Sequence, residues 1–157
     1  MLGGNNYSGK FFEMTTDIEV NGVSVGAEGK PFSGTFSGAM HTLTYNRGGA
    51  DAQGKMQTVN ELCAPFICLD GATIRHLKVE GAVYSSHKFA AGIASLIDGT
   101  GVTTIDNCHV RSILWADKSI ISDATFGGLV GGYEDKDIKQ KTDISGEDAS
   151  EVSRARK

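Results

Sequence analysis

Apolar and polar residues alternate along two stretches of the chain, residues 71–83 and 102–114, and position i of the first aligns with position i+31 in the second. Each aligned pair keeps its character, as in Thr73 with Thr104, Ile74 with Ile105, Leu77 with Cys108, Val79 with Val110 and Val83 with Leu114. Alternation of this kind is typical of β-strands with one buried face. A fixed period of about 20 to 50 residues is typical of repeat proteins, whose units bury apolar surface by stacking on one another.

The same period predicts a further copy upstream. A step of 31 residues toward the N-terminus aligns Thr42 and Leu43 with Thr73 and Ile74, and it aligns Phe36 with Ile67. In stacked parallel strands we therefore expect two ladders, an inward aliphatic one and an outward hydroxyl one. Their members are Leu43, Ile74 and Ile105 for the first and Thr42, Thr73 and Thr104 for the second.

A second match extends the repeat downstream. Gly92-Ile93 aligns with Gly128-Leu129, so this step, i to i+36, is longer than the first. The five extra residues are therefore expected in the loop between Leu114 and Gly127. Loops that vary in length around a constant coil are typical of repeat proteins.

Short strands explain the repeat better than helices do. No window keeps apolar residues at helical spacing without a glycine or a β-branched cluster. Residues 11–20 alternate and end at an Asn21-Gly22 turn, while residues 62–69 form an apolar run typical of a buried strand. The sequence thus predicts an all-β fold, a right-handed parallel β-helix of about three to four coils.

Three parts follow from this interpretation. Residues 1–10 form an N-terminal flank, residues 11–133 the repeat domain with a cap at 11–25, and residues 134–157 a charged tail or linker. Residues 47–60 are polar and are predicted to protrude from the coil as a loop. The tail is predicted to be disordered or weakly helical, because it has too little apolar surface to offset the entropy of ordering.

Composition and charge narrow the function classes. A net charge of −4 without a basic stripe argues against nucleic acid as a partner. No apolar stretch approaches the roughly 18 residues that span a bilayer, and no secretory leader is visible. Residues 1–10 read as a cut just ahead of a domain, so we expect a segment of a longer protein. Three cysteines, Cys63, Cys68 and Cys108, fit no metal-binding spacing and are expected to be buried thiols.

Catalytic and metal-binding patterns are absent from the sequence. The histidines at 41, 76, 87 and 109 do not have the HExxH spacing of a zinc peptidase. Four carboxylates are candidates for a glycan-cleaving pair, but Asp106 aligns with Arg75, which predicts pairing across a sheet rather than a catalytic dyad; the four are Asp98, Asp106, Asp117 and Asp123. We predict no cofactor and no metal.

Two aromatic residues are the candidates for ligand contact. Tyr84 and Trp115 follow the two matched stretches, in segments predicted to be loops. Exposed rings there could stack on sugar rings. Partial burial against a loop is the alternative, and it is the more common role of such residues.

Six ordered motifs together resemble the GLUG-type repeat proteins of bacterial cell surfaces. They are FFEMTTDIEVNG, PFSGTFSGAMHTLTYN, GATIRHLKVEGAV, FAAGIAS, TTIDNCHV and FGGLVGG, and the resemblance covers about residues 9–132. The Gly-Leu-x-Gly signature is intact at residues 128–131 and altered at residues 92–95, where it reads GIAS. The glycine-histidine turn of the family is altered too, and reads GAMH at residues 38–41.

The resemblance implies a parallel β-helical segment of a large exported protein, of the kind also found beside some IgA-peptidase domains. It implies a non-catalytic module at the cell surface or outside the cell, serving as stalk, spacer or adhesion module. Glycans, surface proteins and neighbouring coils of the parent chain are the expected partners. The alternative is a fragment of a β-helical carbohydrate-active enzyme, either a polysaccharide lyase or a glycoside hydrolase, which fold analogy alone supports.

Overall fold

A computed structural model describes residues 6–87, 89–116, 125–133 and 142–144. Within these residues the chain is all-β and forms no helix. The strands are β1 (Phe11–Glu13), β2 (Ile18–Asn21), β3 (Thr35–Ser37), β4 (Thr42–Asn46), β5 (Gly49–Ala50), β6 (Met56–Gln57), β7 (Phe66–Leu69), β8 (Thr73–Arg75), β9 (Lys78–Ser85), β10 (Phe89–Ala91), β11 (Ala94–Ile97), β12 (Thr103–Asp106), β13 (His109–Ala116), β14 (Thr125–Gly127), β15 (Val130–Tyr133) and β16 (Thr142–Ile144).

Parallel pairing between successive passes of the chain organises these strands into sheets. The first sheet has the order β1-β3-β8-β12-β16, the second β13-β9-β4-β2 and the third β15-β11-β7. Strands β10 and β14 form a further parallel pair, and β5 and β6 form an antiparallel hairpin. We call each pass of the chain from the first sheet to the second and third a turn.

The predicted register between the third and fourth turns is confirmed. Thr73 and Ile74 pair with Thr104 and Ile105, and all eight residues of β9 pair with β13 at the same sequence offset. Strands β11 and β15 pair at the predicted longer offset, with Ala94 opposite Val130. The two turns therefore stack residue on residue over both sheets.

The predicted register of the second turn is wrong. Phe36 pairs with Ile74 rather than Ile67, and Leu43 pairs with Val79 rather than stacking on Ile74. The main cause is the length of the second turn, in which residues 48–58 are inserted where the third turn has the single residue Tyr84. The corner between the first two sheets also takes four residues (38–41) in the second turn and two (76–77) in the third, so the offset differs between the two sheets. The inward ladder is therefore Phe36, Ile74 and Ile105, and the threonine ladder is Thr35, Thr73 and Thr104.

The two predicted flanking segments also contain sheet strands. Residues 11–25, predicted to cap the repeat, supply β1 and β2, which pair in parallel with β3 and β4. In the segment 134–157, predicted to be a disordered or weakly helical tail, Thr142–Ile144 forms β16 and pairs with β12 instead. The other residues of that segment lie outside the described residues.

Inward-pointing side chains form the core between the sheets. Ile74, Leu77, Val79, Ile93 and Ile105 are each no more than 1% exposed. The three cysteines are buried thiols, as predicted, and Cys108 joins the same apolar cluster as Leu77. Burial of this kind supplies about 25 cal/mol for each Å² of apolar surface removed from water.

A glycine permits the close approach of β4 to β9. Gly81 has a φ of +121°, and a β-carbon there would meet the carbonyl oxygen of Tyr45. The side chain of Asn46 completes the contact, because its Oδ1 accepts from the N–H of Ala82 at 3.0 Å and its Nδ2 donates to Asn21 at 3.1 Å. Non-glycine residues rarely adopt this φ, so the position requires glycine.

Candidate ligand-binding face

The outward side of β9 and β13 is the candidate functional site. Inward residues of β9 such as Val79 and Val83 are buried, while the residues between them point to solvent. The same alternation runs along β13, where Arg111, Ile113 and Trp115 are exposed. We call this surface the outer face; it comprises Lys78, Glu80, Ala82, Tyr84, His109, Arg111, Ile113 and Trp115.

Tyr84 and Trp115 form an aromatic pair at one end of the outer face. They are opposite each other in the register of β9 and β13, with ring centroids 6.0 Å apart and ring planes at 47°. Trp115 is 40% exposed. Centroid separations of about 4.5 to 7 Å are those of favourable aromatic contacts, so Tyr84 supports the exposed indole from the adjacent turn.

The predicted loop position of these two residues is wrong. Both lie inside strands, because the alternation continues past Val83 and Leu114 to the ends of β9 and β13. Ser85 then points inward and donates from its Oγ to the carbonyl of Val59 at 3.1 Å. Strand pairing thus holds the two aromatic residues on adjacent turns, where a loop would leave them independent.

The β5–β6 hairpin lies beside the aromatic pair. The chain pairs with Val83 at Arg47, leaves as the hairpin, and pairs with Ser85 at Val59. The backbone of Tyr84 bonds to both sides of this excursion, since its N–H donates to Arg47 at 2.9 Å and its carbonyl accepts from Val59 at 3.0 Å. The protrusion predicted for residues 47–60 is therefore a hairpin inserted next to Tyr84.

Hydrogen bonds to one carboxylate hold the hairpin closed. Asp51 accepts from the backbone N–H groups of Gln53 and Lys55, each at 2.9 Å, and from the Gln57 side chain at 2.8 Å. The bond from Lys55 is the main reason that the pKa of Asp51 lies below its usual value. At the base, Arg47 donates to Glu61 at 2.7 Å and to the carbonyl of Gly22 at 2.9 Å.

A polar groove occupies the other end of the outer face. Its volume is about 530 Å³, and it is lined by Met40, Thr42, Lys78, Val79, Glu80, His109 and Arg111. Met40 stands at the corner of the second turn with a φ of +65° and is 43% exposed. The groove thus starts at the corner between the first two sheets and runs across the first half of β9 and β13.

Hydrogen bonds fix the corner beside this groove. Asp17 accepts from the N–H of Thr42 at 2.9 Å, and its carboxylate lies 3.3 Å from Nδ1 of His41. The bond from Thr42 lowers the pKa of Asp17. One turn further on, the side chains of His76 and Asn107 lie 3.0 Å apart, and both residues have positive φ.

Two cations of the groove form no direct ion pair in the described part of the chain. These are Lys78 and Arg111, although Glu80 is opposite Arg111 in the register and the charge of Lys78 helps to lower the pKa of Asp17. These residues were not among the candidates that the sequence predicted. The repeat offset was a sufficient signal, because it already places Arg111 over Glu80 and His109 over Lys78.

Of the four carboxylates considered from sequence, the two that the structure describes lie on different sides of the turn. Asp106 is opposite Arg75 in the register, as the alignment predicts, and Asp98 follows β11 on another side of the turn. Asp117 and Asp123 lie outside the described residues. Among residues 6–87, 89–116, 125–133 and 142–144, no three His, Cys, Asp or Glu side chains come close enough to hold a metal ion.

Comparison with protein-family models, with curated proteins and with solved structures finds no match for this chain. In the described residues there is no helix of the length and apolar character needed to cross a bilayer. The geometry of the outer face and the repeat itself therefore carry the functional interpretation.

Proposed function

We propose that the chain is a non-catalytic repeat module, a right-handed parallel β-helix that serves an exported bacterial surface protein as stalk, spacer or adhesion module. The observation that carries this proposal is the constant register of the third and fourth turns over both β8–β12 and β9–β13. A unit that repeats in register extends into a rigid rod, and its side chains form regular columns on the outside. The resemblance to GLUG-type proteins supports the surface location.

Duplicating one turn tests the β-helix. A second copy of residues 73–103, inserted directly after Thr103, adds one complete turn in register, because position 73 is equivalent to position 104. We expect a folded protein with an equal or higher Tm, lengthened by about 4.8 Å in solution scattering. A duplicate of residues 73–100 lacks three residues and serves as the control that should fail to fold. Loss of the fold in the in-register variant would contradict the proposal.

Incubation with polysaccharides separates a binding module from an enzyme fragment. The chain is mixed with soluble neutral and acidic polysaccharides, and both retention on the polymer and the length distribution of the polymer are measured. We expect retention of the protein without shortening of any polymer. Shortened chains or new unsaturated ends would establish the alternative, a β-helical carbohydrate-active enzyme.

The reading frame around this segment tests its location. A leader and further coils upstream, with an anchor downstream, are expected for an exported repeat protein. A frame that closes immediately on both sides would contradict the surface assignment.

A further inference from the structure

The lining of the groove carries two cations and one carboxylate in a chain that is negative as a whole. The net charge of the chain is −4. Among the lining residues, Lys78 and Arg111 carry two positive charges, Glu80 carries one negative charge, and His109 adds an imidazole. The carboxylate of Asp17 at the adjacent corner interacts with the charge of Lys78. Like-signed groups in a groove attract ligands of opposite sign and disfavour ligands of the same sign.

We propose that the outer face binds an extended acidic oligosaccharide. A uronate carboxylate is held between Lys78 and Arg111 in the groove, and a sugar ring further along the same chain stacks on Trp115. This inference rests on the proposed adhesion role and names its ligand. Tyr84 is a positioning residue, because it supports the indole ring rather than presenting the main exposed surface.

The two cations suit a carboxylate in chemistry and in availability. Arg111 offers a planar guanidinium that can donate two parallel hydrogen bonds to one carboxylate, and Lys78 adds a second donor from the adjacent turn. Both side chains are exposed and lack an ion-pair partner among the described residues. An incoming carboxylate therefore replaces no direct ion pair within this part of the chain, and Arg111 is the cation farther from the carboxylate of Asp17, which interacts with Lys78.

The distance between the two ends requires a chain rather than a single sugar. Lys78 and Tyr84 are six residues apart on β9, which corresponds to about 20 Å along a strand. Ala82 and Ile113 lie between the two ends, and their short or apolar side chains leave the path along the face open. An extended oligosaccharide can contact both the groove and the aromatic pair.

Glu80 favours weakly acidic ligands over densely charged ones. Its carboxylate lies opposite Arg111 and leaves the groove with one net positive charge from Lys78, Glu80 and Arg111. A ligand with one carboxylate for each ring matches this charge. A densely sulfated chain would bring several negative charges against Glu80, which is unfavourable.

Binding of hexagalacturonate, its neutral methyl ester and a sulfated oligosaccharide of equal length tests the proposal by calorimetry. We expect hexagalacturonate to bind about tenfold more tightly than the other two, and its affinity to fall with added salt. Lys78→Gln with Arg111→Gln should remove about tenfold of that affinity and leave the weak binding of the ester unchanged. Glu80→Gln should strengthen binding of hexagalacturonate.

Trp115→Ala tests the other end of the face. Because stacking does not depend on ligand charge, this variant should weaken the binding of hexagalacturonate and of its methyl ester by the same factor, about tenfold. Lys30→Gln and Phe11→Ala are the matched controls, since both side chains are exposed and lie away from β9 and β13. Thermal unfolding of each variant confirms that it is folded.

Three results would overturn the inference. These are equal affinity for hexagalacturonate and its ester, tighter binding of the sulfated chain, or affinities that Lys78, Arg111 and Trp115 variants leave unchanged. Tight binding of neutral sugars alone would contradict the acidic ligand and would agree with an adhesion module. Cleavage of any ligand would instead remove the proposed function itself.

Discussion

The first and third turns place similar side chains in the same columns, yet they bury them to different degrees. Phe12, Phe36 and Ile74 follow one another in the first sheet, but Phe12 is 38% exposed and Ile74 is fully buried. In the second sheet Ile18 is 40% exposed, whereas Val79, two turns further on, is 1% exposed. Burial thus depends on having a neighbouring turn on both sides, rather than on the residues of the turn itself.

The largest expected effect comes from the buried member of the first column. Ile74→Ala should lower the free energy of unfolding by about 2 to 5 kcal/mol, because the methyl groups lost leave a cavity between two turns. Urea unfolding measures it. A loss below about 1 kcal/mol would contradict the burial described for this turn.

Gly81→Ala should have the next largest effect. The new methyl group would meet the carbonyl oxygen of Tyr45, and the residue would keep an unfavourable φ, so we expect a loss of about 1 to 3 kcal/mol. Gly22→Ala in the first turn is the matched control. Its φ is +79°, but a β-carbon there has no contact closer than 3.7 Å, so its loss should be smaller. Equal losses would assign the whole effect to backbone strain.

Phe12→Ala should have a smaller effect than Ile74→Ala, although it removes more atoms. Part of the ring is already in water, so we expect a loss below about 2 kcal/mol in the same urea experiment. Ile18→Ala and Val79→Ala repeat the comparison in the second sheet. If the first-turn variants proved the more destabilising in both sheets, the dependence of burial on neighbouring turns would be wrong.

The smallest effect is expected at Asp51, outside the stacked columns. Asp51→Ala should speed amide exchange at Gln53 and Lys55 and leave the Tm unchanged, since only the hairpin loses bonds. Asp51→Asn keeps an acceptor oxygen and should have a weaker effect. The pKa of Asp51 is lower in the folded protein than its unfolded value of about 3.8, so the carboxylate stabilises the hairpin fully above that pH. This stabilisation is lost as the pH falls through the folded pKa. Unchanged exchange in both variants and at low pH would contradict this.

Aligning the repeats within the chain predicted the strand register correctly where successive turns have corners of equal length. Two residues separate β8 from β9 and β12 from β13, so a single sequence offset describes both sheets. The second turn departs from this offset in two places: its corner has four residues, and residues 48–58 stand where the third turn has the single residue Tyr84. Neither difference follows from local sequence preference, because the positive φ of Ala39 and Met40 is uncommon for non-glycine residues and the insertion is visible only from the pairing.

The candidate site was predicted only in part. The sequence analysis singled out Tyr84 and Trp115, but it assigned them to loops, since the apolar match ends at Val83 and Leu114. Their position as strand neighbours depends on backbone pairing across turns, which composition does not indicate. The groove could be predicted only in part, because the repeat offset places Arg111 beside Glu80 whereas Met40 lies in the second turn, whose register was predicted wrongly.

The β5–β6 hairpin beside Tyr84 is a place where the protein could be changed by evolution or by engineering. Arg47 and Val59 pair with Val83 and Ser85, the two neighbours of Tyr84. The residues between Arg47 and Val59 are therefore inserted at one position along β9. Sequence there can lengthen, shorten or be exchanged while the strands above and below keep their positions. Gly48 must stay, because a β-carbon there would meet the carbonyl oxygen of Tyr84, and residues 49–58 provide a natural grafting position for a foreign peptide next to the aromatic pair.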